Sequence, residues 1–526
     1  MAHSFEHGGV PARKEGHVRE HLGSGLVWVA MLVCVLGIVT RIPFRAQILH
    51  HWDSVNFALA MDHFDVRLHQ PHPPGTFIIY ILLGRLLNVF LRDPNASLVW
   101  LSVILSGLGI AALFLLGEEW FGRRTALTTA LLAIVSPLIW FHGEVALSYT
   151  LEFLWVPLVV YACYKMQTRG WGALLTSALL IGMAGGVRPN TPVFLFPLWV
   201  LGVVVHKYSF RKVLVALLVM GLGVLIWAVP MVAMSGGLRE YIEVMRWWQD
   251  QHMEDSASLA GVAENVIRFG TYVFYALGLG LIPLVVATGR GLWKIVRGNA
   301  GRNLRGIARS LGRDWRAQVL AFWILPGTGY FTLIHLRQPG HTFTVQPAFI
   351  LLAGLAIVSL ALRKGAVRQT VWVTLTAAVT IVNALFFLLG PTYLFGDTRM
   401  LFTTPTWNAI RDYDTYVTVR LKAIREAFSP EETTVLASGR NFRLPDFYLS
   451  DFQVPSLSYQ VNTSPVKLED PIRTLVLFDD SVLPELPPDV DVQSVSLPGG
   501  ELLRAITWDE GQVVEIGQNS ITIGER

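Results

Sequence analysis

One stretch decides how this chain folds: Pro74-Gly-Thr-Phe-Ile-Ile-Tyr-Ile-Leu-Leu-Gly-Arg85-Leu-Leu-Asn-Val-Phe-Leu91. Its length and apolar content suit a helix that crosses a bilayer, yet Arg85 stands near its middle, where a cation costs roughly 3 kcal/mol or more. The loops that follow settle the reading. Lys and Arg cluster at Arg123 and Arg124, at Lys165 and Arg169, from Lys207 to Lys212, from Arg290 to Arg316 and from Arg363 to Arg368. The positive-inside rule places all five clusters in the cytoplasm, but only if residues 74 to 91 stay on one side. Counted as a span, the stretch would send Arg123 and Arg124 outside and invert every later loop. It therefore reads as a juxtamembrane helix within one long external loop, Arg41 to Ala96.

Outward from that loop, uncharged stretches of 16 to 22 residues recur between Ser24 and Gly390. The expected fold is a polytopic α-helical membrane protein of about 11 transmembrane helices, near 24 to 40, 97 to 117, 125 to 141, 146 to 164, 170 to 187, 190 to 205, 213 to 234, 271 to 288, 318 to 334, 343 to 362 and 370 to 390. Arg13, Lys14 and Arg19 hold the N-terminus inside, and the first apolar run lacks a small-residue cleavage site, so it reads as an anchor. An odd number of spans then sends the C-terminus outside. Composition agrees: of 526 residues, 52% are apolar and 15% charged, with a mean hydropathy of +0.47, whereas soluble proteins carry about 25% charged residues. Residues 401 to 526 hold 19 of the 38 acids but only 10 of the 42 basic residues. This acidic tail is a separate domain. A helix near Thr406 to Phe428 and strand-like runs at Thr433 to Ala437, Thr474 to Phe478, Val490 to Leu497, Leu502 to Thr507 and Ile521 to Ile523 predict a small external α/β fold. The division is thus 1–23 as a cytoplasmic tail, 24–395 as the membrane domain and 396–526 as the external domain. Cys34 and Cys163 lie inside apolar spans, which excludes a disulfide framework and a cysteine zinc site.

Polar chemistry collects on the external side. The first loop carries His50-His51-Trp52-Asp53 and later His69-Gln-Pro-His72-Pro-Pro-Gly75. Asp53 opens a short helical stretch, where it either caps the helix or is held ionised by the helix N-terminus and acts as a general base. His72-Pro-Pro-Gly75 is a rigid corner at the start of the next helix, or part of a site. The second loop holds Glu144 among Trp140 and Phe141, with Glu152 just inside the following span. Arg188, in the turn Gly185-Gly-Val-Arg-Pro-Asn190, breaks the charge rule and suits an anion or a lipid headgroup. A fourth loop supplies Arg337 and His341. Two acids, Asp53 and Glu144, and four phosphate contacts, His72, Arg188, Arg337 and His341, are what transfer from a lipid phosphate requires. From Ser235 to Arg268 the spacing fits an interfacial amphipathic helix anchored by Trp247 and Trp248. The histidines show no metal-protease spacing; no cofactor is required, although the dispersed His and acids are compatible with a divalent metal ion.

An acid early in a long first external loop, followed about twenty residues on by His-Pro-Pro-Gly, resembles the GT-C superfamily of polyprenyl-phosphate-sugar-dependent glycosyltransferases. Phe121-Gly-Arg-Arg-Thr-Ala-Leu127, Ser136-Pro137 and Gly143-Glu-Val-Ala-Leu-Ser-Tyr149 add to the likeness, which is good over residues 24 to about 200. Within the superfamily the chain is similar to protein O-mannosyltransferase-like proteins and bacterial lipid A aminoarabinose transferases. Ser54 stands where many of the former carry a second acid, and His72 where the latter carry a lysine. The resemblance implies that Asp53 approaches the acceptor, that Glu144 lines the same cavity, and that transfer is inverting. Its implied partners are a polyprenyl-phosphate sugar donor, a lipid, glycan or protein acceptor and the bilayer of a bacterial inner (plasma) membrane, with no nucleic acid. The alternative is a transporter or flippase of a lipid-linked glycan. Such proteins usually place ionisable groups near the bilayer midplane, whereas here they lie in loops at one face.

Overall fold

Within a bilayer, backbone polar groups are satisfied inside the segment, and long apolar runs close as helices. The computed structural model describes residues 15–252, 259–297, 312, 314–363, 366–394, 404–437, 439–454, 466–468, 471–479, 492–498, 500–516 and 521–525. Arg13 and Lys14, the middle of the 290–316 loop and the first two residues of the strand expected at 490 lie outside the described residues. Among the described residues, five helices are long and apolar enough to cross a membrane, or six if one bent pair counts as a single span. The chain is a polytopic helical membrane protein.

In chain order the helices are α1 (Glu15–Val39), α2 (Trp52–Asp62), α3 (Ile78–Leu91), α4 (Pro94–Phe121), α5 (Arg123–Val135), α6 (Pro137–Glu144), α7 (Tyr149–Ala184), α8 (Asn190–Val205), α9 (Phe210–Met234), α10 (Leu238–His252), α11 (Leu259–Leu277) and α12 (Leu281–Arg297). Helices Trp315–Leu333, Gln346–Ala361 and Gln369–Leu389 complete the membrane part. α5 and α6 form the bent pair, turned by 55° at Ser136-Pro137. The expected spans 146 to 164 and 170 to 187 are joined without a loop: α7 bends at Gly170, which has φ 53°. α3 has 14 residues, about 21 Å of helix, which falls short of a bilayer core of roughly 30 Å. It buries Ile78, Tyr80, Ile81 and Gly84, while Arg85 is exposed. Small residues let helices meet closely. At Gly182 on α7 a Cβ would stand 2.1 Å from the carbonyl oxygen of Met220 on α9, and at Gly223 one would stand 2.8 Å from that of Leu179.

The polar loops sort to the two ends of α4. At its C-terminal end, Lys165 pairs with Glu119, Arg316 donates to the Trp120 carbonyl, and the Trp315 indole donates to Tyr164 O at 3.0 Å. Basic loops far apart in sequence thus gather together. At the other end of α4, Asn95 donates to Gln47 O at 2.6 Å, and the first loop, the 185–190 turn and the 335–341 loop converge.

In the C-terminal domain, helix Trp407–Ala427 buries Ile410, Val417, Leu421 and Ile424. Strand Thr433–Leu436 runs parallel to Thr474–Leu477, which pairs antiparallel with Leu502–Thr507, itself antiparallel to Val492–Ser496. A second antiparallel sheet joins Val466–Leu468, Gln512–Ile516 and Ile521–Glu525. The strands at 466 and 512 escape a sequence reading because the first is three residues long and the second alternates only weakly.

Candidate functional site

Asp53 enters α2 in its first turn, with His51 at the N-cap. The Asp53 N–H donates to His51 Nδ1 at 3.1 Å, and the same ring nitrogen stands 3.4 Å from Asp53 Oδ2. The second carboxylate oxygen faces His72, whose Nδ1 lies 3.3 Å from Oδ1. The chain brings His72 back through a tight corner that ends at Gly75, with φ +76°. A Cβ there would meet Val66 Cγ2 at 2.3 Å, so both conformation and space require glycine. Corner and site are the same structure, and the two readings of His72-Pro-Pro-Gly are not exclusive.

Asp53 is 8% exposed. Burial raises its pKa, but His72, His51 and, more weakly, Arg188 together outweigh burial and hold the carboxyl below the ordinary range.

Arg188 arrives from the turn between α7 and α8. Its guanidinium lies 4.4 Å from the Tyr149 ring centroid and 5.8 Å from that of Phe77. Its Nε stands 3.5 Å from Glu152 Oε2, and Glu152 Oε1 accepts from the hydroxyls of Thr191 at 2.6 Å and Thr344 at 2.7 Å. Glu152 is therefore the tether of Arg188. The 335–341 loop is fastened by α11: Tyr272 donates to Arg337 O at 2.7 Å and Arg268 to Leu336 O at 3.0 Å. Tyr149 donates to the Gln338 side chain. Burial, then Arg188 and His335, hold His341 well below the usual histidine range, which favours the neutral imidazole.

Asp53, His72, Arg188, Arg337 and His341 line one cavity of about 660 Å³. Glu144 does not. It is wholly buried, its Oε1 accepts from the Trp140 indole at 2.9 Å, and its backbone carbonyl accepts from Ala46 N–H at 3.0 Å. Glu144 and Trp140, four residues apart on α6, face each other by helical spacing, and the bend at Ser136-Pro137 sets the direction in which α6 carries them. Wholly buried Arg41 packs in the same place, 5.6 Å from the Trp140 ring centroid.

The cavity also uses residues the sequence did not single out for it: Trp52 and Asn56 on α2, Tyr149, Met245 and Trp248 on α10, and Gly439 and Phe442 from the C-terminal domain. Asn56, three residues after Asp53, was readable from helical spacing. Gly439 and Phe442 carried no such signal. Among the described residues no three His, Cys, Asp or Glu side chains form a metal-ligand group.

No protein-family model matches the chain, and no curated protein matches it by sequence. Solved structures do. ArnT from Cupriavidus metallidurans aligns in its apo state with TM-score 0.54 at 14% identity, covering 92% of this chain and 98% of that one. The same protein bound to undecaprenyl phosphate aligns with TM-score 0.53 at 14% identity and equal coverage. A weaker likeness, on which nothing rests, is to the apo oligosaccharyltransferase of Archaeoglobus fulgidus, with TM-score 0.46 at 11% identity over 86% of this chain and 69% of that one. The match to ArnT extends through nearly the whole length of both chains, and the chain shares the fold of that structure.

Proposed function

We propose that this protein is a membrane glycosyltransferase that moves a sugar from a polyprenyl-phosphate donor to a hydroxyl or amine on a lipid, glycan or protein at the external face, with inversion. The observation that carries the reading is the pairing, in one cavity, of a buried carboxylate with the guanidinium groups of Arg188 and Arg337. Structural likeness to a protein crystallised with undecaprenyl phosphate supports it.

In this reading the donor phosphate sits against Arg188 and Arg337, with His72 and neutral His341 adding hydrogen bonds. Asp53 takes the acceptor proton as the acceptor oxygen or nitrogen attacks the anomeric carbon, and polyprenyl phosphate leaves with the bonding electrons. A carboxylate held as low as that of Asp53 is a weak base in the empty cavity. The phosphate draws on Arg188 and His72, which lowers their hold on Asp53 and raises its basicity when the donor is bound. Cations already in place stabilise the departing phosphate without reorganisation. Glu144, away from the cavity, has a supporting place and no part in the chemistry.

The topology that serves this reaction has eleven crossings, counting α7 as two at its bend and α11 with α12 as one, α3 staying outside, and the C-terminal domain external to a bacterial inner membrane. The test is to incubate the protein in lipid with a panel of polyprenyl-phosphate sugars and an envelope extract, following release of polyprenyl phosphate. Release by the wild type and none by Asp53→Asn is the expected result; equal release by both removes the assignment of Asp53.

A further inference from the structure

The segment that delivers Asp53 has no regular structure of its own. Residues 46 to 49 form neither helix nor strand, and Ala46, Ile48 and Leu49 are buried, so their amides need partners from elsewhere. Ala46 N–H goes to the Glu144 carbonyl at 3.0 Å. The next three go to the C-terminal domain. Gln47 and Ile48 N–H donate to Asp414 Oδ2 and Oδ1 at 2.8 and 3.1 Å, and Leu49 N–H donates to the Tyr448 hydroxyl oxygen at 2.8 Å. Four residues beyond Leu49 stands Asp53. On α2 itself, Arg443 Nε donates to Asn56 Oδ1 at 3.0 Å, and Arg443 is steadied by Asp446 at 2.8 Å. Above the segment, the His50 ring lies 4.5 Å from that of Tyr413.

We propose that the C-terminal domain is a positioning element of the site, with Asp414 and Tyr448 fixing the backbone of residues 47 to 49 and thereby the placement of Asp53 in the cavity. Two short amide bonds to one carboxylate set both direction and distance of the segment, and charge-assisted bonds of this kind are the strong ones. Apart from His72, the phosphate contacts come from other loops, the 185–190 turn and the 335–341 loop. Loss of the clamp therefore misplaces the base and leaves the anion subsite intact. Neither Asp414 nor Tyr448 lines the cavity, so both act through the backbone they hold.

The consequence for turnover rests on the glycosyltransferase reading; the consequence for the backbone does not, and the experiment keeps the two apart. Full-length protein in lipid nanodiscs is compared as wild type, Asp414→Ala, Asp414→Asn and Tyr448→Phe, by amide hydrogen exchange and by binding of undecaprenyl phosphate. Amides of residues 46 to 53 in Asp414→Ala and Tyr448→Phe exchange about tenfold faster or more, while helix Trp407–Ala427 keeps its protection and undecaprenyl phosphate affinity stays within about twofold. With a donor that turns over, kcat falls about tenfold or more with KM little changed, since small misplacements of reacting groups are costly. Asp414→Asn, which retains one acceptor oxygen, recovers part of the loss. Unchanged exchange in residues 46 to 53 for both variants overturns the proposal, and so does wild-type kcat despite raised exchange. Should Asp414→Ala also expose the 407–427 helix, Tyr448→Phe decides. If the wild type turns over no donor, the functional reading fails and the exchange result alone judges the clamp.

Discussion

Asp53, Arg188 and Glu144 have three different fates, although all are charged residues near one end of the membrane helices. Asp53 and Arg188 share a cavity, while Glu144 is used up by Trp140. Substituting Arg188 by Ala should weaken undecaprenyl phosphate binding by about tenfold to a hundredfold, the worth of a hydrogen bond to a charged group. Titration in nanodiscs measures this, and unchanged affinity would place the phosphate elsewhere. Glu144→Gln should leave kcat nearly as it is and lower stability instead, on the order of 3 kcal/mol if buried Arg41 loses its charge balance; turnover and thermal unfolding measured on the same preparation separate the two effects. The sequence pointed to Asp53 and His72 because a carboxylate in a first helical turn and a proline corner have readable local chemistry. It could not tell that Glu144 faces away, since the direction of α6 depends on a 55° bend at Ser136-Pro137. The i, i+4 spacing of Trp140 and Glu144 was the clue available.

Among the elements, the pairs that approach most closely are the most exposed to substitution. Gly182→Ala would drive a Cβ to 2.1 Å from the Met220 carbonyl oxygen, and separating α7 from α9 should cost roughly 1 to 3 kcal/mol, seen as a lower melting temperature in detergent; an unchanged melting point would show that the helices can slide apart freely. The interface between the first loop and the C-terminal domain carries its own pH dependence. Burial, opposed by the amide bonds from Gln47 and Ile48, pushes the Asp414 carboxyl up to about 6. With a folded value above the ordinary carboxylate range, this group adds most stability below about pH 4 and loses that contribution as pH rises through 6. Thermal unfolding should therefore show a loss from this group between about pH 4 and 6 that Asp414→Asn abolishes. Element boundaries were largely legible from hydropathy and from Pro and Gly placement, α3 included. What joins the loop to the tail was not: Asn56 and Arg443 are 387 residues apart, and no local pattern encodes a contact at that distance.

For the whole molecule, one arrangement accounts for the charge pattern, the cavity and the tail. Basic loops meet at the end of α4 that carries Glu119 and Trp120, and the cavity opens at the other. Cysteines introduced at exposed Asp62 and Arg124, in a background with Cys34 and Cys163 replaced, should label from opposite sides of an intact membrane. Labelling from one side only would dismantle the topology, and with it the separation of cytoplasmic charge from external chemistry. That the chain is a polytopic helical membrane protein was evident from composition and charge alone, because the bilayer imposes so narrow a choice of structure. The architecture that brings a C-terminal domain back onto the first loop came only with the structure.

The measurement that bears most directly on the central claim is release of polyprenyl phosphate from a polyprenyl-phosphate sugar by the protein in lipid, wild type beside Asp53→Asn, with binding of undecaprenyl phosphate to both followed in parallel. The account predicts release by the wild type, a loss of about a hundredfold or more in Asp53→Asn, and similar binding by the two. Release that is equally fast without the Asp53 carboxylate, or none from any donor by a wild type that binds undecaprenyl phosphate, would contradict it.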